Sequence, residues 1–265
     1  MSRLKTVFSQ LPSGNKAFIP FITAGDSGID NTYELMQVLV ENGADVIELG
    51  VPFSDPMADG PVIAKSHERA VEGGVSLHDV LDLVKKFRQT NDTTAIVLMG
   101  YLNPIEVFGY QEFSDAASNS GVDGVLVVDM PPEEAQDLKR CLDKKDIDFI
   151  FLVAPTTTDQ RLDSLADIAS GFVYFVSLKG VTGAGHLDVD SVNDNIARIR
   201  KYINLPIGVG FGIKDAKTAK AVSASADAVI VGSSLVSFVE QYAHDRDKML
   251  ASVGGLSAEI SAAIK

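Results

Sequence analysis

Eight short apolar runs, separated by stretches of helical periodicity, restrict this chain more than any other feature. They cover residues 18–22, 46–49, 95–99, 124–128, 148–153, 172–176, 206–209 and 228–231. The runs are rich in Val, Ile and Phe and nearly unbroken in hydrophobicity, as parallel strands covered on both faces must be. The segments between them carry helix signals. Asp30 is placed to cap a helix carrying Leu35, Val38 and Leu39, and Gly43 to end it. Pro132 fits a first helical turn ahead of Ala135, Leu138 and Leu142. The same spacing recurs at Leu162, Leu165 and Ala169, at Val192, Ile196 and Ile199, and at Ala216, Ala219 and Val222.

Eight strands alternating with helices, joined by right-handed crossovers, predict an α/β protein folded as a closed (β/α)8 TIM barrel. An open doubly wound sheet is the alternative. It fits less well, because the turn after the first run, TAGD at 23–26, is a poor match to the glycine-rich fingerprint of such sheets. A local repeat adds support: Gly43-Ala44-Asp45, Gly121-Val122-Asp123 and Ser225-Ala226-Asp227 each precede a run, which predicts equivalent turns. The 265 residues suit one barrel, and no linker-like shift in composition divides them, so 1–265 is expected to be a single domain. Two units are longer than the rest. They predict long loops after strands 2 and 6, with an extra helix near 62–71, and both loops open on the face where barrel enzymes keep their active sites.

Charge and cysteine content exclude several functions. A net charge of −13 argues against binding a nucleic-acid backbone or an anionic membrane surface. Any anionic ligand must be held locally, by backbone amides or a few basic residues. Cys141 is the sole cysteine, which rules out an internal disulfide, and His67, His78, His186 and His244 show no metal-ligand spacing. The first residues lack the apolar core of a signal peptide, and no run approaches the ~20 residues that span a bilayer. A cytoplasmic location is expected.

The segment VIELGVPFSDPMADGP at 46–61 concentrates the candidate chemistry. A buried run ends on Glu48, and a loop stiffened by Pro52, Pro56 and Pro61 delivers Asp55 and Asp59. Burying an acid is costly unless it has a partner or a task. Glu48 therefore either pairs with a basic residue across the barrel mouth or serves as a general acid or base with a raised pKa. Asp59 can equally be a turn residue ahead of Gly60; Asp26, Asp55 and Asp129 are weaker candidates.

Glycines follow the last three runs, at 180–183, at 208–212 and at Gly232. Gly232, Ser233 and Ser234 open a helix carrying Leu235, Phe238 and Val239, whose N-terminal amides suit a phosphate. Tyr101 and Tyr174 near strand ends can offer phenols, and Phe21, Met99, Leu126 and Phe211 can line an apolar pocket or simply pack the core.

Five motifs stand out: FIPFITAGD at 18–26, ELGVPFSDPMADGP at 48–61, MGYLNP at 99–104, GVTG at 180–183 and GFGI at 210–213. With them the chain resembles the tryptophan synthase alpha subunit family over essentially its whole length. The second motif is highly specific, whereas the glycine motifs are shared by many phosphate-binding barrels. The resemblance implies a lyase of L-tryptophan biosynthesis that splits indole-3-glycerol phosphate into indole and glyceraldehyde 3-phosphate by a retro-aldol reaction. It implies Glu48 as the acid/base catalyst and Asp59 as the carboxylate that receives the indole N–H. It further implies Phe21, Tyr101, Leu126 and Phe211 around the indole, and Tyr174 beside the substrate chain. Gly183, Gly212, Gly232 and Ser233 would hold the phosphate, and Thr182 would reach Asp59.

No metal or organic cofactor is implied for this subunit. The family implies an α2β2 complex in which indole passes to a beta subunit carrying pyridoxal phosphate, with docking near Asp55, Pro56, Asn103 and Pro104. Leu178 and Lys179 stand where some members carry an Arg. A related barrel enzyme of the same pathway would need a catalytic Lys at a strand end, and none is present. A purely regulatory partner would have no need of both acids.

Overall fold

A computed structural model describes residues 2–177, 188–210 and 212–265. Its strands are β1 (Ala17–Thr23), β2 (Val46–Gly50), β3 (Ala95–Gly100), β4 (Gly124–Val127), β5 (Asp148–Val153), β6 (Val173–Val176), β7 (Ile207–Gly210) and β8 (Ala228–Val231). All pair in parallel in sequence order, and β8 closes onto β1, so the sheet is the expected (β/α)8 barrel. Nearly every strand residue is buried, since each strand has helices on one side and the barrel interior on the other.

Alternation along the strands divides the apolar residues into two cores. Residues that point outward, such as Ile22, Ile47, Leu98 and Val229, pack under the helices. Those that point inward, including Ile19, Val46, Val97, Leu126, Ile150, Phe172 and Ile230, fill the barrel. The helix Arg3–Gln10 plugs the lower end, with Leu4 fully buried among these side chains and Phe8 against Phe172 at 5.9 Å. Each such buried side chain contributes about 1.5–3 kcal/mol, so the barrel interior is a packed floor on which a site can be built.

The excursion after β2 holds the expected extra helix, Pro61–Glu72, with the helix Leu77–Phe87 behind it. The helix Leu102–Phe108 after β3 is a further addition, ahead of Tyr110–Ser120. Two local expectations are corrected. Asp30 does not cap its helix: Ile29–Glu41 begins at Gly28, whose φ of 97° turns the chain, and Asp30 lies in the first turn beside Lys86. Pro132 opens a short 3-10 turn, Pro132–Glu134, that precedes the helix Gln136–Asp143. The glycine-rich loop at 179–185 lies outside the described residues. Among those described, no helix is long and apolar enough to cross a membrane.

Candidate active site

The inner core stops short of the C-terminal end of the strands, and a cavity of about 860 Å³ opens above it. Phe21, Glu48, Met99, Leu152, Tyr174 and Ile230 form its floor, all at inward strand positions. Two glycines shape that floor. A Cβ at Gly50 would fall 2.7 Å from the Phe21 ring, and one at Gly210 would collide with the Tyr174 phenol. The absent side chains are what let both rings lie against the neighbouring strand.

Glu48 follows Val46 by two residues and so points into the same interior, but it is a carboxyl group among hydrocarbons. It is 1% exposed, and neither carboxylate oxygen has a hydrogen-bond partner among the described residues. A basic partner across the mouth is therefore not what these residues provide. Burial pushes its pKa up to about 8, with a smaller push from the negative charge of Asp59. Glu48 is thus held protonated near neutrality while remaining able to release and recover that proton.

Asp59 reaches the cavity on the loop between β2 and the helix Pro61–Glu72. The Tyr101 hydroxyl donates to its Oδ2 at 2.7 Å, while the Ala58 N–H donates to the same phenol oxygen at 3.1 Å. His67 Nε2 faces Asp59 Oδ2 at 3.6 Å. Burial raises the Asp59 pKa; the Tyr101 hydrogen bond and then His67 oppose the rise. The two acids differ in kind: one has no hydrogen-bond partner among the described residues, while the other is held by donors that favour its ionised form. Tyr174 stays a neutral phenol, its pKa raised well above the ordinary value by burial and then by Glu48 and Asp59.

Another stretch of the cavity wall is made by Gly212, Ile213, Gly232 and Ser233. Gly212 adopts a φ of 76°, which favours glycine, and Gly232 is the N-cap of the helix Ser233–Gln241. The first-turn amides of that helix have no intrahelical acceptor, and its dipole favours an anion there. Phe21, Glu48, Asp59, Tyr174, Gly212, Gly232 and Ser233 thus meet in one cavity. Thr182, Gly183 and Phe211 lie outside the described residues.

Two expected ligand contacts take other places. Leu126 does not line the cavity; it packs one layer down in the inner core, and Val128, two residues on, lies on the wall. Tyr101 is buried behind the loop, stacked on Phe53 at 5.1 Å, and holds Asp59 through its hydroxyl. Among the weaker acidic candidates, Asp26 pairs with Arg69 at 2.7 Å, and Asp129 accepts the Leu102 N–H at the start of the helix Leu102–Phe108. Sequence reasoning assigned no role to His67 and missed Arg161, which lines the cavity rim while paired with Glu133 at 3.2 Å. His67 shares a helix face with Ile63 and Ala70 just after Asp59, a placement that helical spacing could have disclosed. No cluster of three or more His, Cys, Asp or Glu side chains suited to a metal occurs among the described residues.

The family model described as tryptophan synthase alpha chain matches residues 8–265. The chain belongs to that family. It is 78% identical to the tryptophan synthase alpha chain of Ruthia magnifica over 265 residues, covering 100% of both chains. It is 56% identical to the one from Burkholderia pseudomallei, covering 100% of this chain and 97% of the other. The crystal structure of tryptophan synthase subunit alpha from Legionella pneumophila superposes with a TM-score of 0.93 at 39% identity, covering 100% and 98% of the two chains. A tryptophan synthase complex from Pyrococcus furiosus gives a TM-score of 0.83 at 35% identity, covering 93% and 98%. As a member of that family, the protein is a lyase. It performs the alpha reaction of tryptophan biosynthesis.

Proposed function

We propose that Glu48 and Asp59 divide the chemistry of the alpha reaction between them. Protonated Glu48 gives its proton to indole C3, which turns the ring into an electron-poor indolenine. Ionised Asp59 accepts the hydrogen bond of the ring N–H and stabilises the positive charge that develops there. The Glu48 carboxylate then removes the proton of the side-chain hydroxyl. As the C–C bond breaks, its electron pair restores the aromatic indole, and the O–H electrons become the aldehyde carbonyl. Glu48 ends as it began, protonated. The observation that carries this reading is a buried carboxyl with no hydrogen-bond partner among the described residues, in the same cavity as a second acid held by donors.

Phe21 then packs against the indole, Tyr174 lies beside the substrate chain, and Gly212, Gly232 and Ser233 take the phosphate. Thr182, Gly183 and Phe211 keep the roles that the family resemblance gives them, and Leu126 supports the pocket from below. The proposed working form is an α2β2 complex in the cytoplasm, with each chain a single domain and pyridoxal phosphate only in the beta subunit. Met57, 80% exposed, and Val107, 81% exposed, support a docking face there. They belong to the segments after β2 and β3 that also carry Asp55, Pro56, Asn103 and Pro104. The test is indole release from indole-3-glycerol phosphate by the purified chain, alone and with a beta subunit. Release is expected in both cases and faster in the complex; no indole in either would sink the proposal.

A further inference from the structure

His67 sits on the inner side of the helix Pro61–Glu72 and is 2% exposed. Its Nδ1 accepts the Phe53 N–H at 3.2 Å. A ring nitrogen that accepts carries no proton, so the proton of the neutral ring is on Nε2, the atom that faces Asp59. The ring edge also meets the Tyr101 ring, 6.4 Å away at 77°. The loop is therefore tied at two points, Phe53 to His67 and Ala58 to Tyr101, and Asp59 lies between the two side-chain donors.

We infer that His67 is a positioning residue for the alpha reaction, one that aims Asp59 and favours its ionised form through a neutral Nε2–H while Nδ1 tethers the loop. This rests on Asp59 being the carboxylate that receives the indole N–H. At 3.6 Å the contact is a dipole facing a charge and not a short hydrogen bond. The neutrality of the ring has a use. A fixed cation beside Asp59 would also favour ionisation of Glu48, which has to hold a proton near neutral pH. Burial supplies that neutrality by lowering the His67 pKa, against the pull of Asp59 and then Asp26. Among the described residues, the other titratable and charged groups around the pair are Glu48 on β2, Tyr101 after β3, Tyr174 on β6 and Arg69 on the same helix.

The two ring nitrogens can be tested apart. Gln at this position offers an amide N–H near the place of Nε2, and Asn offers an acceptor near that of Nδ1. Steady-state indole release by the complex is followed against pH for His67→Ala, His67→Gln, His67→Asn and Asp59→Asn. His67→Ala is expected to lower kcat by about ten- to a hundredfold. It should also move the acid limb of the profile to higher pH, because Asp59 loses a group that favours its ionised form. His67→Gln should recover most of the loss and His67→Asn little of it. An unmoved acid limb in His67→Ala, or recovery by Asn and not by Gln, would overturn the inference. Should His67→Ala fail to fold, the Gln and Asn variants still decide. Full activity in Asp59→Asn would instead refute the role given to Asp59, a failure separate from an inactive Asp59→Asn beside an unaffected His67→Ala.

Discussion

At the N-terminal end of the barrel, Asp45, Asp123 and Asp227 each stand just before a strand and bond to the strand that precedes it. They accept the N–H groups of Phe18, Ile96 and Ile207 at 2.8, 2.8 and 2.9 Å. Each also meets a cation: Lys265 for Asp45, Arg3 and Arg88 for Asp123, and Arg200 for Asp227. At the C-terminal end, Glu48 is buried as Asp123 is and more deeply than Asp45 or Asp227, with no hydrogen-bond partner among the described residues, and Asp59 has a phenol and a neutral imidazole in place of a cation. The lower acids have the partners that make burial tolerable and help fix strand register. Among the described residues the upper pair lacks compensating charge, which costs stability and leaves proton affinities open to use in catalysis.

That contrast can be broken from either end. The largest effect is expected from Glu48→Gln, which removes the proton donor and should lower kcat for indole release by about a thousandfold. Binding of inorganic phosphate, followed by calorimetry, should be unchanged. At the other end, Asp123→Ala leaves Arg88 and the Ile96 N–H without their carboxylate. It should cost about 3 kcal/mol in a urea unfolding titration while the folded fraction keeps its kcat. An Asp123 variant that lost activity without losing stability would erase the distinction between the two ends.

The pH dependence of folding gives a signal of definite sign. Glu48 binds its proton more tightly in the folded state, with a pKa near 8 against 4.5 for the free side chain. Its contribution to stability is therefore present below pH 4.5 and is lost as pH rises towards 8. Relative to Glu48→Gln, the unmodified chain should lose on the order of 4 kcal/mol over that interval, as read from unfolding titrations at a series of pH values. Smallest is Tyr101→Phe, which removes one donor to Asp59 and should lower kcat about tenfold. Its acid limb should move to higher pH, because the lost hydrogen bond had lowered the Asp59 pKa.

The barrel was legible because its strands are covered on both faces, which makes each an apolar run that needs no partner to be recognised. Glu48 was legible for the same reason, as a charge where such a run should stay apolar. Where a reading depended on geometry beyond the local chain, it failed. Asp30 has the side chain of a helix cap, but the positive φ of Gly28 sets the cap two residues earlier. Leu126 and Val128 share a strand phase, and only the tilt and stagger of the closed barrel decide which of them reaches the cavity. Tyr101 lies 42 residues from Asp59, so its task as a donor depends on the loop after β2 folding back over β3. His67 gave no signal as a metal ligand, and its importance lies in a helix face that becomes visible once Pro61 is taken as the helix start.

The most direct test of the account is the titration of the Glu48 carboxyl itself, by infrared difference spectroscopy of the unmodified chain against Glu48→Gln. The account predicts one protonated-carboxyl band, absent from the variant, that disappears with a midpoint near pH 8. A band lost near pH 4.5, the ordinary value for the side chain, would contradict it.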